Sequence, residues 1–238
     1  GVGLFTFVFA ATLALVMTDI KRVLAYSTIS HLGLMMLSLG AFGVAAALFH
    51  LVVHGVCKAL LFLGAGSVMH SLNDETDIRK MGGLWRRMPV TAITFGVGAA
   101  ALAGIAPLSG FFSKDEVLLA VLDHRNPAFI ALTLPALVLS ALYMARLIFV
   151  VFFGRLDTGN QGAHESPWLM TVPLMLLAFF AVTVGFIAFN WTGAYGGFGS
   201  FLTGGEEFHI EPWLTALSLV LALGGVTVGW LVYSRGSI

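Results

Sequence analysis

Charged residues and cysteines are scarce in this sequence. Only 10% of its 238 residues are Asp, Glu, Lys or Arg, whereas 58% are hydrophobic, which is far from the composition of a soluble domain. The 12 basic and 12 acidic residues cancel, so no excess of positive charge favours nucleic acid as a partner. The single cysteine, Cys57, excludes an internal disulfide and a cysteine-ligated zinc or iron–sulfur site. We therefore expect neither a metal nor a redox cofactor in this chain.

Most of the sequence consists of long apolar segments. About 20 apolar residues cross a bilayer as a helix, and a span must pair its own backbone groups there. Seven stretches qualify, and they predict an all-α, polytopic transmembrane bundle. These stretches are 1–18, 23–41, 45–70, 89–122, 127–153, 167–190 and 212–234. The glycine-rich stretch 191–211, which carries Glu206, Glu207 and Glu211, is predicted to be an outer loop.

Basic residues support this threading. Eight of them fall in loops on one side, which the positive-inside rule makes cytoplasmic, and Arg125 stands alone opposite. The eight are Lys21, Arg22, Arg79, Lys80, Arg86, Arg87, Arg155 and Arg235.

The fourth stretch is predicted to be a broken helix. At about 34 residues it is too long for one straight span, and its middle contains Gly104, Pro107 and Gly110. Proline removes a backbone donor and clashes with the preceding turn, and glycine weakens a helix. We expect two half-helices, about 89–105 and 111–122, with the helix interrupted between about 104 and 113 by an unwound link of the kind that often lines an ion site. A kinked but continuous helix is the alternative.

The third stretch carries a polar stripe. His50, His54 and Lys58 are spaced four residues apart, so each step advances about 40° around a helix and the three side chains share one face. A lysine near the centre of a span costs about 2.5–3.5 kcal/mol on insertion scales and normally faces a cavity or a partner. Histidine titrates near neutrality, so such a file can pass protons. Alternatively, the histidines only hydrogen-bond each other or a backbone carbonyl.

A second charged group follows the predicted break. The positive end of the second half-helix disfavours a charged Lys114, whereas Asp115 and Glu116 favour it, and this competition suits a proton-loading site. An ion pair that holds the break together is the alternative. Arg146, in the fifth stretch, is expected either to extend toward the cytoplasmic surface or to pair with an acid.

Several motifs carry a resemblance to a known family. The segment Thr18–Thr28, TDIKRVLAYST, resembles a signature of the antiporter-like membrane subunits of respiratory complex I, and His54–Phe62, HGVCKALLF, looks like one of their helices. Residues 77–84, 110–115 and 164–168 are similar to the subunit L, or chain 5, type. The chain begins at Gly1, inside an apolar run, and we expect it to be the C-terminal half of such a subunit, preceding a lateral helix.

The resemblance also implies site residues. His50, His54, Lys58 and Lys114 fall on the family's proton-pathway positions. His31 stands where glutamine is frequent, and it would add a titrating group near the pathway.

The expected function is that of a proton-translocating membrane-arm subunit of NADH:quinone oxidoreductase, in a bacterial cytoplasmic membrane. NADH, FMN, iron–sulfur clusters and quinone would then be bound by partner subunits, and this chain would have no redox centre. Residues 1–153 would form the antiporter-like bundle and 154–238 the C-terminal helices. The alternatives are the large subunit of an Mrp-type Na⁺/H⁺ antiporter and a subunit of a related membrane hydrogenase complex.

Overall fold

The computed structural model describes residues 1–123, 127–155, 160, 162–191, 195–204, 208 and 210–234. Within these ranges the chain forms helices and no β-strand, which confirms the all-α prediction. The helices are α1 (Val2–Val16), α2 (Ile20–Gly40), α3 (Val44–Ser71), α4 (Pro89–Ala103), α5 (Ser109–Asp123), α6 (Pro127–Val151), α7 (Trp168–Thr183), α8 (Gly197–Thr203) and α9 (Pro212–Tyr233). Short 3₁₀ helices cover Ile78–Lys80, Leu84–Arg86 and Val184–Ala188.

The seven predicted segments are all present as helices. By length and composition, five helices of the described part can each cross a membrane. These are Ile20–Gly40, Val44–Ser71, Phe129–Val151, Trp168–Ala188 and Pro212–Tyr233. The apolar helices α1 and α4 are shorter, and α5 completes the segment that α4 begins. Helix α8, within the predicted outer loop, was not predicted, and Glu206 and Glu207 lie outside the described residues.

The broken helix is confirmed. Helix α4 ends at Ala103, and Gly104 follows it with φ +88°, in the left-handed region that favours glycine. Helical structure resumes at Ser109, so Pro107 lies in the link, and a continuous kinked helix is wrong. The break is shorter than the predicted 104–113, because Gly110 already belongs to the first turn of α5. There the two half-helices touch: a Cβ atom on Gly110 would lie 1.9 Å from the Ala101 carbonyl oxygen.

The loops at one end of the bundle are tied together by backbone hydrogen bonds. Ile20 N donates to Thr76 O at 2.9 Å, and Ile78 N donates to Thr18 O at 2.8 Å. Trp85 N donates to Phe152 O at 3.1 Å, which adds the end of α6. The exposed basic residues therefore share one end, as predicted; they are Lys21, Arg22, Arg79, Lys80, Arg86, Arg87 and Arg155. Arg125 and Arg235 lie outside the described residues.

Helix α3 occupies the interior, where it packs against α2, α4, α5 and α7. Helix α9 lies at the periphery and packs on α6 through Gly225 and Gly229. A Cβ atom at Gly225 would lie 2.6 Å from Val138 O, and one at Gly229 would lie 2.6 Å from the Ala145 Cβ. This close contact agrees with the four-residue spacing of the two glycines. The interior position of α3 encloses its polar stripe.

Candidate functional site

The predicted stripe on α3 is buried. His50, His54 and Lys58 expose 0%, 4% and 7% of their surface. Four helices surround α3, so these side chains face protein rather than lipid. Polar side chains that are enclosed in this way must find partners among the neighbouring helices.

The histidines form a row that runs across three helices. His31 of α2 places Nδ1 2.9 Å from His50 Nε2, and His50 Nδ1 lies 2.9 Å from Ser113 Oγ of α5. The His31 ring also stacks on those of His50 and His54, with centroids 5.2 Å and 5.1 Å apart. Histidine–histidine bonding, the alternative interpretation, is therefore present. The row nevertheless continues to Ser113, the residue next to Lys114.

Lys58 is held by neutral acceptors. Its Nζ donates to Leu24 O at 3.1 Å and to Ser27 Oγ, both on α2. In the described part of the chain the ion pairs are Asp77–Arg79 and Glu75–Lys80, which lie in the loop between α3 and α4. Lys58 can therefore change its charge without breaking an ion pair.

The break in the α4–α5 segment creates the site for Lys114. The last carbonyls of a helix have no partner within it, and Lys114 Nζ donates to one of these, Leu102 O of α4. It also donates to Ser140 Oγ of α6 at 2.9 Å. The predicted competition between the positive end of α5 and the two acids left out this contact with the C-terminal end of α4. That end carries partial negative charge and favours an ammonium group.

Neither neighbouring acid pairs with Lys114 within the described residues. Asp115 instead accepts a hydrogen bond from Ser218 of α9, and Glu116 is 9% exposed. The ion-pair interpretation of the break is therefore wrong.

Three small cavities lie beside these acids. A cavity of about 10 Å³ is lined by Lys114 and Asp115, and the next, of about 40 Å³, by Asp115 and Glu116. A third, wider one of about 290 Å³ is lined by Glu116 and Asp123 together with the α2–α3 turn. The three are separate cavities with mostly apolar linings, but Asp115 lines the first two and Glu116 the last two, so these acids are spaced between Lys114 and the end opposite the basic loops.

Arg146 has a structural partner that was not predicted. It is 6% exposed, its Nη1 donates to Met17 O at 2.7 Å, and its guanidinium lies 5.9 Å from the Tyr233 ring centroid. Met17 follows the last residue of α1, so the cation meets the negative end of that helix. Among the described residues Arg146 neither extends to the surface nor pairs with an acid.

Sequence reasoning missed the hydroxyl groups of the site. Ser27, Ser113 and Ser140 each contact a lysine or a histidine. Ser113 stands next to Lys114 in sequence, and that adjacency was an available signal. Ser27 and Ser140 come from other helices, and only the packing reveals them.

A protein-family model described as NADH:quinone oxidoreductase/Mrp antiporter, TM, matches residues 1–142. The chain belongs to this family. Subunit L of the NADH-quinone oxidoreductase of Campylobacter jejuni is 47% identical over 184 residues, covering 75% of this chain and 30% of that protein. Subunit L from Rickettsia felis is 36% identical over 248 residues, covering 100% of this chain and 38% of that protein. The F(420)H(2) dehydrogenase subunit L of Methanosarcina mazei is 45% identical over 199 residues, covering 77% of this chain and 29% of that protein.

Solved structures of related complexes share the fold of this family member. The Mrp complex from Dietzia sp. superposes with a TM-score of 0.76 at 28% identity, covering 95% of this chain and 26% of that one. The membrane-bound sulfane sulfur reductase, an archaeal respiratory membrane complex, gives a TM-score of 0.78 at 25% identity, covering 99% of this chain and 40% of that one. The chain thus spans about a third of the length of the curated relatives named above.

Proposed function

We propose that this chain is a proton-translocating part of the membrane arm of NADH:quinone oxidoreductase. The observation that carries the proposal is the buried row in which His31, His50 and Ser113 are hydrogen-bonded between two buried lysines that lack acidic partners in the described part. Names of relatives point the same way, since those from Campylobacter jejuni and Rickettsia felis are subunit L of NADH-quinone oxidoreductase.

The energetics favour a functional role for the lysines. An ammonium group in the bilayer interior costs about 2.5–3.5 kcal/mol on insertion scales, and such residues usually mark ion or proton pathways. A neutral imidazole accepts a proton at one nitrogen while it donates from the other. The row can therefore pass protons while the helices stay in place. Asp115 and Glu116, which line the cavities between Lys114 and the end opposite the basic loops, would continue the path in that direction.

Partner subunits would carry out the redox chemistry. We infer that NADH, FMN, iron–sulfur clusters and quinone are bound there, and that quinone reduction drives proton transfer through this chain. The chain would lie in a bacterial cytoplasmic membrane.

A second candidate is the large subunit of an Mrp-type Na⁺/H⁺ antiporter. It is favoured by the family description, which includes the Mrp antiporter, and by the fold shared with the Dietzia Mrp complex. Sodium-dependent proton exchange by the complete protein without any electron donor would favour this candidate over the first.

Lys58→Met in the complete protein tests the proposal. We expect normal assembly, because Leu24 O still accepts hydrogen bonds from Ser27 and Thr28 at 2.9 Å, together with a loss of proton pumping and slower coupled electron transfer. Proton uptake into vesicles, measured against quinone reduction, gives both quantities. The control is Lys21→Met, which removes an exposed lysine at the start of α2. Pumping by Lys58→Met at the rate of this control would contradict the proposal.

A further inference from the structure

We propose that His31 relays protons between the sites of Lys58 and Lys114. It would take up a proton on the side of His54 and Lys58 and pass it through His50 to Ser113, the residue next to Lys114. This inference rests on the proposed function and assigns a proton-transfer role to a residue outside the α3 stripe.

Hydrogen bonding singles out His31. The rings of His50 and His54 lie one turn apart on α3 with centroids 6.0 Å apart, and no hydrogen bond joins them. Both ring nitrogens of His50 are already engaged, one by His31 and one by Ser113. Along these hydrogen bonds a proton can therefore reach His50 from His31 or from Ser113, and His31 is the neighbour whose ring stacks on that of His54.

The contacts around Ser113 fit the following direction of the hydrogen bonds at rest. With Ser113 Oγ donating to Gly110 O, 3.3 Å away, it accepts the Nδ1 proton of His50. A neutral His50 then has an unprotonated Nε2, which must accept from Nδ1–H of His31. The neutral His31 is left with a free lone pair on Nε2. The row is thus oriented to receive a proton at that atom.

Proton transfer along the row balances at every step. A proton that binds His31 Nε2 makes the ring cationic, and the Nδ1 proton moves to His50 Nε2. His50 then releases its Nδ1 proton to Ser113 Oγ, and the Ser113 hydroxyl proton passes, through a bridging water, to Nζ of a neutral Lys114. One proton enters and one leaves, and rotation of the hydroxyl and the rings restores the first arrangement.

Two unpaired nitrogens mark the entrance. Among the described residues, His31 Nε2 and His54 Nε2 are buried without a hydrogen-bond partner, in side chains that expose 0% and 4% of their surface. Buried polar atoms of this kind are uncommon. Nε2 of His31 is therefore free to accept a proton, which the proposed relay requires.

His31→Gln in the complete protein, within its complex in proteoliposomes, tests the relay. Glutamine keeps one donor and one acceptor but does not take up a proton at neutral pH. We expect unchanged assembly, pumping slowed about 100-fold, and a larger H₂O/D₂O effect on the pumping rate. A merely structural residue would leave the isotope effect unchanged. The matched control is His70→Gln, in the exposed last turn of α3, which should behave as wild type.

Two further variants make the outcome decisive. If His31→Gln pumps at the wild-type rate while His31→Met is slow, His31 only holds its neighbours by hydrogen bonds and the relay is overturned. Lys58→Met, measured in parallel, separates the relay from the proposed function. Loss of pumping in Lys58→Met but not in His31→Gln overturns the relay alone, and pumping retained by Lys58→Met overturns both.

Discussion

Replacing Gly110 with alanine should force the two half-helices apart and disable Lys114. The new Cβ atom would lie 1.9 Å from Ala101 O, whereas ordinary contacts begin at 3.4 Å, so α5 must move by about 1.5 Å. Overpacking of this kind costs about 1–3 kcal/mol of stability. Lys114, one turn later, would be displaced from Leu102 O and Ser140, and a misplacement of about 1 Å can slow a reaction about 100-fold.

Gly96→Ala provides the matched control in the same broken segment. A Cβ atom at Gly96, within α4, meets nothing within 4 Å, so alanine there should leave stability unchanged or raise it by up to about 1 kcal/mol. The assays are thermal unfolding of the purified complex and proton pumping in proteoliposomes. If Gly110→Ala matched Gly96→Ala in both assays, the close contact between the half-helices would not matter for Lys114, and the reasoning would be refuted.

Two other changes test separate parts of the structure. A double His50→Ala and His54→Ala variant should reduce pumping less than Lys58→Met, because water can partly replace imidazole in a proton path; equal loss in the vesicle assay would argue against this. Glu165→Ala should lower the free energy of unfolding by about 1–2 kcal/mol, because its carboxylate accepts hydrogen bonds from the backbone N–H groups of Val90 and Thr91 at 2.7 Å and 3.2 Å. An unchanged unfolding midpoint would show that this cap is dispensable.

The sequence predicted what depends on local pattern. The length of apolar runs located the spans, Gly104 and Pro107 located the break, and the four-residue spacing placed His50, His54 and Lys58 on one face. Each of these follows from the geometry of a single helix, which is independent of its neighbours.

The partners of the site residues depend on packing instead. Nothing in the sequence indicates that Ser27 faces Lys58 or that Ser140 faces Lys114, since either serine could lie on any side of its helix. The prediction for Lys114 was incomplete for the same reason. It considered the dipole of α5 and the two neighbouring acids, but not the Leu102 carbonyl at the end of α4 that accepts a hydrogen bond from the ammonium group.

The central claim is that Lys58 and Lys114 serve one proton path. Lys58→Met, Lys114→Met and the double variant, assembled in the complete complex, should be compared by their rates of proton pumping in proteoliposomes. One path predicts that each single change stops pumping and that the double variant is no worse than either. Partial defects in the single variants that multiply in the double variant would contradict the claim, because they would mean that the two lysines act independently.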